Sequence, residues 1–301
     1  MIVVRAQVLG FCMGVSRAVE TAQRESSAGY PVYTFGPLIH NPKVLDDLEK
    51  RGVRILEEGD IPPGNSTVII RAHGISPQAE SALKKRGVRV LDATCPHVKV
   101  SQKKAQAFAE NGYAVFLAGG EDHAEIAGIR GYVEAGLPGR EPRSADPDAG
   151  GAPACHVVGN PAEAEKAAGD LFRRDSVART VLIGQTTISA GEYMAIGERI
   201  RRFFPSLEVL DTICGATADR QEALRGLSAK VDALVIAGGR DSANTRRLLS
   251  LARELGKPAW LVEDAADLPP EIASFRTVGL SAGASTPGSL VGQIEEALLS
   301  L

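Results

Sequence analysis

The chain is poor in cysteine, with four among 301 residues, and no two of them form a C-x2-C pair. Structural zinc sites usually draw ligands from such close pairs, so a zinc finger or ribbon is disfavoured. A basic surplus is also lacking: 34 Lys and Arg against 37 Asp and Glu leave a net charge of −3. A dedicated nucleic-acid binder would carry a positive field, so that class is set aside, although a local basic or histidine-lined pocket is not. No window approaches 18 uninterrupted apolar residues, so no membrane span is expected. The opening Met1-Ile-Val-Val-Arg5 reads as a strand without the h-region of a signal peptide. A cytoplasmic location is therefore expected, where cysteines serve as thiols or metal ligands rather than disulfides. With 44% hydrophobic and 24% charged residues, the composition is that of an ordinary globular protein. Its length suffices for two or three α/β units.

Against that scarcity, three of the four cysteines stand in a repeat. Gly36, Gly119 and Gly238 lie 24 residues past Cys12, Cys95 and Cys214, and His40, His123 and Ser242 lie 28 past. The second and third copies agree further. Asp92-Ala-Thr-Cys95 mirrors Asp211-Thr-Ile-Cys214, and Ala118-Gly-Gly-Glu-Asp-His-Ala-Glu125 mirrors Ala237-Gly-Gly-Arg-Asp-Ser-Ala-Asn244. The first copy rests mostly on spacing. A repeat of this kind decides architecture. It predicts three similar α/β units with parallel sheets around a pseudo-threefold axis, with the three thiols in equivalent places that meet at the centre.

Each copy reads as strand, Cys-bearing turn, helix, strand. Val15, Ala18, Val19 and Ala22 follow helical spacing after Cys12, and Pro31-Val-Tyr-Thr-Phe35 follows as a strand. The later copies give helices over 102–110 and 219–228, then strands over 113–118 and 232–237. Further strands at 68–70, 181–183 and 277–280 run into small polar turns: Ala72-His73-Gly74-Ile75-Ser76, Gln185-Thr186-Thr187-Ile188-Ser189 and Ala282-Gly283-Ala284-Ser285. Alternating strands and helices imply crossover connections and parallel sheets, whose carboxyl ends bind ligands. Boundaries are expected near residues 93 and 190, giving units at 1–93, 94–190 and 191–301, the last closed by a short amphipathic helix over 289–301. The stretch 136–153, rich in Pro, Gly, Asp and Ala, reads as a surface loop.

A cysteine where a strand turns into a helix sits at the positive end of the helix dipole, which favours the metal-binding thiolate. Three converging thiolates could hold zinc together with a histidine, or an iron–sulfur cluster. Clusters are usually held by four cysteines, so three in register suggest a cubane with one iron free of protein ligands and open to a substrate oxygen. Cys155 is out of register and reads as an ordinary thiol.

His40, His73 and His123 fall at predicted strand ends together with Ser242, Asn244 and Ser285. Hydroxyls, amides and imidazoles near helix N-termini make a site for a phosphate or diphosphate. His97 and His156 fall outside the pattern. Glu125, where the third copy has Asn244, is the acidic side chain that the repeat aims at the shared centre. A carboxylate there can relay protons to a leaving hydroxyl, and Thr186 and Thr187 offer hydroxyls to orient that path.

Gly10-Phe-Cys12-x-Gly14-Val, Ile39-His40-Asn41, Ala72-His73-Gly74-Ile-Ser, Asp92-Ala-Thr-Cys95-Pro, His123-x-Glu125, Gln185-Thr-Thr-x-Ser189, Ile213-Cys214-x-Ala-Thr217, Arg220-Gln-Glu-Ala and Ser281-Ala-Gly-Ala-Ser285, occurring together and in order, resemble the LytB/IspH family of 4-hydroxy-3-methylbut-2-enyl diphosphate reductases. The resemblance runs from residue 9 to about 290. It implies a [4Fe–4S] cluster on Cys12, Cys95 and Cys214, with the substrate hydroxyl at the open iron. It further implies a diphosphate pocket of His40, His73, His123, Ser242, Asn244 and Ser285, with Glu125 as the proton-delivering acid supported by Thr186. The implied reaction is a two-electron reductive dehydroxylation to isopentenyl and dimethylallyl diphosphates, the last step of the non-mevalonate isoprenoid pathway. Electrons would come from an outside carrier such as ferredoxin or flavodoxin, since no G-x-G-x-x-G fingerprint marks a nicotinamide or flavin site. Ala243 stands where the family often has Ser, Ala124 where it often has Pro, and Thr217-Ala-Asp219 where Thr-Thr-Asn is common. No appended domain is expected after the core.

Two other classes compete. A pseudo-threefold iron–sulfur enzyme resembling quinolinate synthase would also hold a three-cysteine cluster but would consume no reducing equivalents. A cluster-based redox sensor would need no set of strand-end hydroxyls and histidines aimed at one cavity.

Overall fold

Short apolar runs flanked by polar turns give the strands, and capped amphipathic segments give the helices between them. A computed structural model describes residues 1–57, 59–137 and 155–301. The loop expected over 136–153 therefore lies almost entirely outside the described residues. The chain opens with β1 (Ile2–Arg5), α1 (Met13–Ser26), β2 (Val32–Phe35), α2 (Pro42–Lys50), β3 (Val53–Leu56), β4 (Thr67–Ile70), α3 (Pro77–Lys85) and β5 (Arg89–Asp92). It continues with α4 (Pro96–Glu110), β6 (Ala114–Ala118), α5 (Ala124–Gly136), β7 (Cys155–Val158), α6 (Pro161–Arg174), β8 (Thr180–Gly184), α7 (Ala190–Arg201) and β9 (Glu208–Val209). The last stretch holds α8 (Gly215–Ser228), β10 (Ala233–Ala237), α9 (Ala243–Glu254), β11 (Ala259–Val262), two short 3-10 turns, β12 (Thr277–Ala282) and α10 (Gly288–Leu299).

Three four-stranded sheets result, ordered β3-β2-β4-β5, β7-β6-β8-β9 and β11-β10-β12-β1. The expected α/β class with three similar units and parallel sheets is thus what the chain adopts. The pairings β2–β3, β2–β4, β6–β7, β6–β8, β8–β9, β10–β11, β10–β12 and β1–β12 are all parallel. Sheet membership turns over at each cysteine. The strands β1, β5 and β9 that precede Cys12, Cys95 and Cys214 are edge strands of the sheet before, while the helices that follow open the next unit. The strand that begins the chain thereby completes the sheet that ends it, and β9, beyond residue 190, pairs with β8. Pairing partners distant in sequence leave no local signal, and β9 has only two residues.

The chain packs as two compact units, one of residues 1–72 with 214–301 and the other of 73–213. In the second, Phe116 and Leu182 point with Ala118 into a core under α6 and α7. Val115, Leu117, Val181 and Ile183 point into another under α4 and α5. The first unit repeats the scheme, with Val235, Leu280 and Ala282 in a core with α10 and Leu234 and Ile236 in a core with α8 and α9. Sheets covered on both faces are the environment in which parallel strands read as continuous apolar runs. Among the described residues no helix is long and apolar enough to cross a membrane.

Helices α4 and α8 start earlier than helical spacing predicts, directly after their cysteines. Pro96 occupies the first helical position of α4, where its fixed φ is favourable and its missing N–H costs nothing. Cys12, Cys95 and Cys214 are consequently the N-caps of α1, α4 and α8.

Candidate functional site

The glycine of each repeat ends the unit's first strand. The N–H groups of Gly36, Gly119 and Gly238 donate to the carbonyls of Leu56, Val158 and Val262 at 3.0, 3.0 and 2.9 Å, three equivalent bonds in three sheets. Gly238 has φ +141, and a Cβ there would stand 2.6 Å from Thr286 Oγ1 and 2.8 Å from Thr245 Oγ1. A side chain fits neither the backbone nor the space. Four residues beyond each of the latter two glycines the chain caps a helix, with His123 on α5 and Ser242 on α9, while His40 directly precedes Asn41, the cap of α2.

In the unit of residues 73–213, His123 Nδ1 accepts from the Glu125 N–H at 3.2 Å. This sets Glu125 in the first turn of α5, where its side chain is 1% exposed. The neighbouring strand β8 ends at Gly184, and the next turn brings Thr186 onto the carboxylate. The Thr186 N–H donates to Oε1 at 2.7 Å and its hydroxyl to Oε2 at 2.9 Å. Burial pushes Glu125 up to about 7, against the two Thr186 bonds, which favour the charged form. A carboxyl so poised can both hold and give up a proton near neutrality. The His73 ring lies edge-on to His123 with centroids 5.4 Å apart. Gln185 Nε2 donates to Thr187 Oγ1 at 2.7 Å, so Thr187 is turned to its own loop. Cys95 sits in a clasp: Asp92 accepts from the Thr94 N–H at 2.9 Å and from Lys99 Nζ at 2.5 Å, tying the turn before the cysteine to the helix after it.

In the unit of residues 1–72 and 214–301, Ser242 Oγ accepts from the Thr245 N–H at 3.3 Å, and the Ser285 hydroxyl donates to the His40 carbonyl at 3.1 Å. A Cβ at Gly239 would stand 2.6 Å from that same carbonyl, so His40 is held against the β10 turn. Burial and then Arg71 lower the His40 pKa, Asp241 opposes them, and Arg246 adds to the lowering, so the imidazole is neutral at pH 7. Asn244 occupies the register of Glu125, is 4% exposed, and has neither Oδ1 nor Nδ2 hydrogen-bonded. Ala284, which takes the register of Thr186, has no hydroxyl to offer it. Buried amide and hydroxyl groups, a neutral imidazole and two nearby guanidiniums form a set suited to an anion.

Cys12 and Cys214 lie in this unit too, and none of the three N-cap cysteines spends its side chain on the cap. No cysteine is in a disulfide among the described residues. The Cys12 N–H donates to the Ala284 carbonyl at 3.1 Å. The buried Arg220 guanidinium links the Cys12 turn to the Cys214 helix: Nη2 donates to the Gly10 carbonyl at 2.5 Å and Nη1 to the Ala216 carbonyl at 2.6 Å. Cys155 stands apart on β7 opposite Val115, its thiol pushed up to about 12, chiefly by burial. His156 stacks on Phe116 with its pKa lowered to about 4 by burial, as a core histidine does, and His97 is exposed on α4.

Sequence reasoning missed Arg71, Arg246, the Lys99 clasp and the role of Arg220. A signal existed for the last. Six residues past each cysteine the copies carry Ala18, Ser101 and Arg220, and only the third is charged.

The family model described as LytB protein matches residues 3–299. A 4-hydroxy-3-methylbut-2-enyl diphosphate reductase of Treponema pallidum (strain Nichols) is 44% identical over 324 residues, covering 99% of this chain and 83% of the relative. The Treponema denticola protein of that name is 43% identical, covering 99% of each chain. The solved structure of the E-1-hydroxy-2-methyl-but-2-enyl-4-diphosphate reductase from Plasmodium falciparum matches with a TM-score of 0.85 at 28% identity, over 98% of this chain and 87% of that one. A structure of (E)-4-hydroxy-3-methyl-but-2-enyl diphosphate reductase, described as the terminal enzyme of the non-mevalonate pathway, matches with a TM-score of 0.70 at 34% identity over the whole of both chains. With its strand-end turns built as described and a family match across nearly its full length, the chain belongs to the LytB protein family.

Proposed function

We propose that this chain reduces (E)-4-hydroxy-3-methylbut-2-enyl diphosphate to isopentenyl and dimethylallyl diphosphates, the last step of the non-mevalonate isoprenoid pathway. The allylic C–O bond breaks and two electrons and two protons enter. One proton leaves with the hydroxyl as water and the other joins carbon. The observation that carries this reading is Glu125, a buried carboxyl raised to about 7 and held by both donors of Thr186, in a chain of this family. Glu125 delivers the proton to the departing hydroxyl, and Thr186 aims the carboxyl and stabilises the carboxylate that the transfer leaves.

His40, His73, His123, Ser242, Asn244 and Ser285 bind the diphosphate. The positive charge of Arg71 and Arg246 near His40 favours that anion. Cys12, Cys95 and Cys214 suit an iron–sulfur ligand set, since each caps a helix without using its side chain, and Arg220 sets buried positive charge near two of them. These three cysteines would hold a [4Fe–4S] cluster, which would pass on electrons and supply Lewis acidity toward the hydroxyl. The electrons come from an outside carrier such as ferredoxin or flavodoxin, and the enzyme works in the cytoplasm.

Anaerobic purification, iron and sulfide analysis, and an assay with the hydroxylated diphosphate and a chemical reductant test the proposal. Iron-bearing protein that consumes two electrons per product supports it. Turnover without consumption of reductant would point to the quinolinate-synthase-like class, and a cluster without turnover to a sensor. Either result overturns it.

A further inference from the structure

Arg220 lies on α8, six residues past Cys214, and is 3% exposed. A guanidinium is costly to bury without an opposite charge. Among the described residues, however, Arg220 makes no ion pair with a carboxylate, and its two hydrogen bonds go to neutral carbonyls. One of these, Gly10 O, is on the Cys12 turn and the other, Ala216 O, is on the first turn after Cys214. Its Nε is buried with no hydrogen-bond partner. The first groups to oppose burial at Arg220 are Cys12 and Cys214, with Asp219 after them. The other two copies of the repeat carry Ala18 and Ser101 here, so a cation at this position belongs to the third copy.

We infer that Arg220 is a positioning residue for the iron–sulfur centre, tying the Cys12 turn to the Cys214 helix and supplying the buried positive charge that offsets their thiolates. The inference rests on the cluster reading above. Cluster potentials respond to net charge and to hydrogen bonds at the sulfurs, so a fixed cation beside two of three thiolates raises the potential and eases electron entry. The two carbonyl bonds restrain the distance between two ligand-bearing turns that are about two hundred positions apart in sequence.

The test uses reconstituted holoprotein of the wild type, Arg220→Gln and Arg220→Lys, prepared anaerobically. Iron and sulfide content, the midpoint potential from a mediated titration, and the rate of iron loss to a chelator are read for each. Arg220→Gln is expected to shift the midpoint to more negative values and to lose iron severalfold faster. Arg220→Lys keeps the charge but not the paired carbonyl bonds, so it should hold the wild-type potential while losing iron faster. A Gln variant with full iron and an unshifted potential overturns the inference. So does a Lys variant whose potential falls, which keeps the test open should the Gln variant fail to fold. Wild-type protein that takes up no iron and sulfide sinks the cluster reading itself, a result distinct from either.

Discussion

Thr186 grips Glu125 with two donors, its backbone N–H on one carboxylate oxygen at 2.7 Å and its hydroxyl on the other at 2.9 Å. Both bonds favour the charged carboxylate, while burial favours the neutral acid and prevails, leaving the group at about 7. If Glu125 is the proton donor, Glu125→Gln keeps the shape but removes the acid. The rate of the chemical step should fall roughly 10²–10⁴-fold with substrate still bound. Steady-state kinetics under anaerobic conditions with one reductant measures this, and a near-normal kcat would hand the acid role to another group.

Removing the Thr186 hydroxyl acts through the same carboxyl. Thr186→Val deletes a bond that stabilises the charged form, so the Glu125 pKa rises further. The fall of kcat on the alkaline side, where the acid is lost, should therefore move to higher pH than in wild type. A pH–rate profile displaced the other way, or not at all, would contradict the role given to Thr186.

The same shift makes a stability statement. Because the Glu125 pKa is raised by folding from 4.5 to about 7, the folded protein holds the proton more tightly than the unfolded chain. Its contribution is full below pH 4.5 and is lost as pH rises through about 7, by about 3 kcal/mol. Glu125→Gln has no proton to lose. Urea unfolding at about pH 5 and about pH 8, either side of the raised pKa, should show the variant gaining on the wild type at the higher pH. Parallel pH dependences would mean that Glu125 titrates normally.

Much of the fold was legible because the repeat is carried by backbone needs. In the second and third copies glycine ends the strand where no Cβ fits, and a capping residue stands four positions on. Strands β6, β8 and β10 announced themselves as continuous apolar runs, as buried parallel strands do. What escaped was non-local. Nothing near β1 says that it pairs with β12, and nothing near Cys12 says that a guanidinium far along the chain will hold its turn. The Asp three residues before Cys95 and Cys214 was visible as a marker, yet only the structure shows Asp92 clasping Lys99.

The cysteines separate by register and by surroundings. Cys155 lies on a strand with its thiol pushed up to about 12, a protonated small hydrophobe. Cys155→Ser should leave iron content unchanged, and Ser at Cys12, Cys95 or Cys214 should reduce or abolish it. Iron and sulfide analysis of the four variants checks this. A bleached Cys155→Ser beside an intact Cys95→Ser would end the register argument.

Asn244 offers a sharper contrast between stability and binding. Its amide is buried, and neither of its polar atoms is hydrogen-bonded within the protein. The register explains the mismatch: Gln185 and Gly283 donate to the carbonyls of Ala118 and Ala237, so Ala284 takes the place of Thr186 and offers no hydroxyl. Asn244→Ala removes the unmatched groups at the expense of a small cavity. Stability without substrate should therefore stay level or rise, unlike most buried substitutions, which destabilise. With an anionic diphosphate to receive its Nδ2–H, however, the native amide becomes an asset, and its removal should raise KM more than it lowers kcat. Thermal unfolding without substrate, paired with steady-state kinetics, reads both effects. A variant that loses stability while keeping its KM would mean that Asn244 serves the fold and not the substrate.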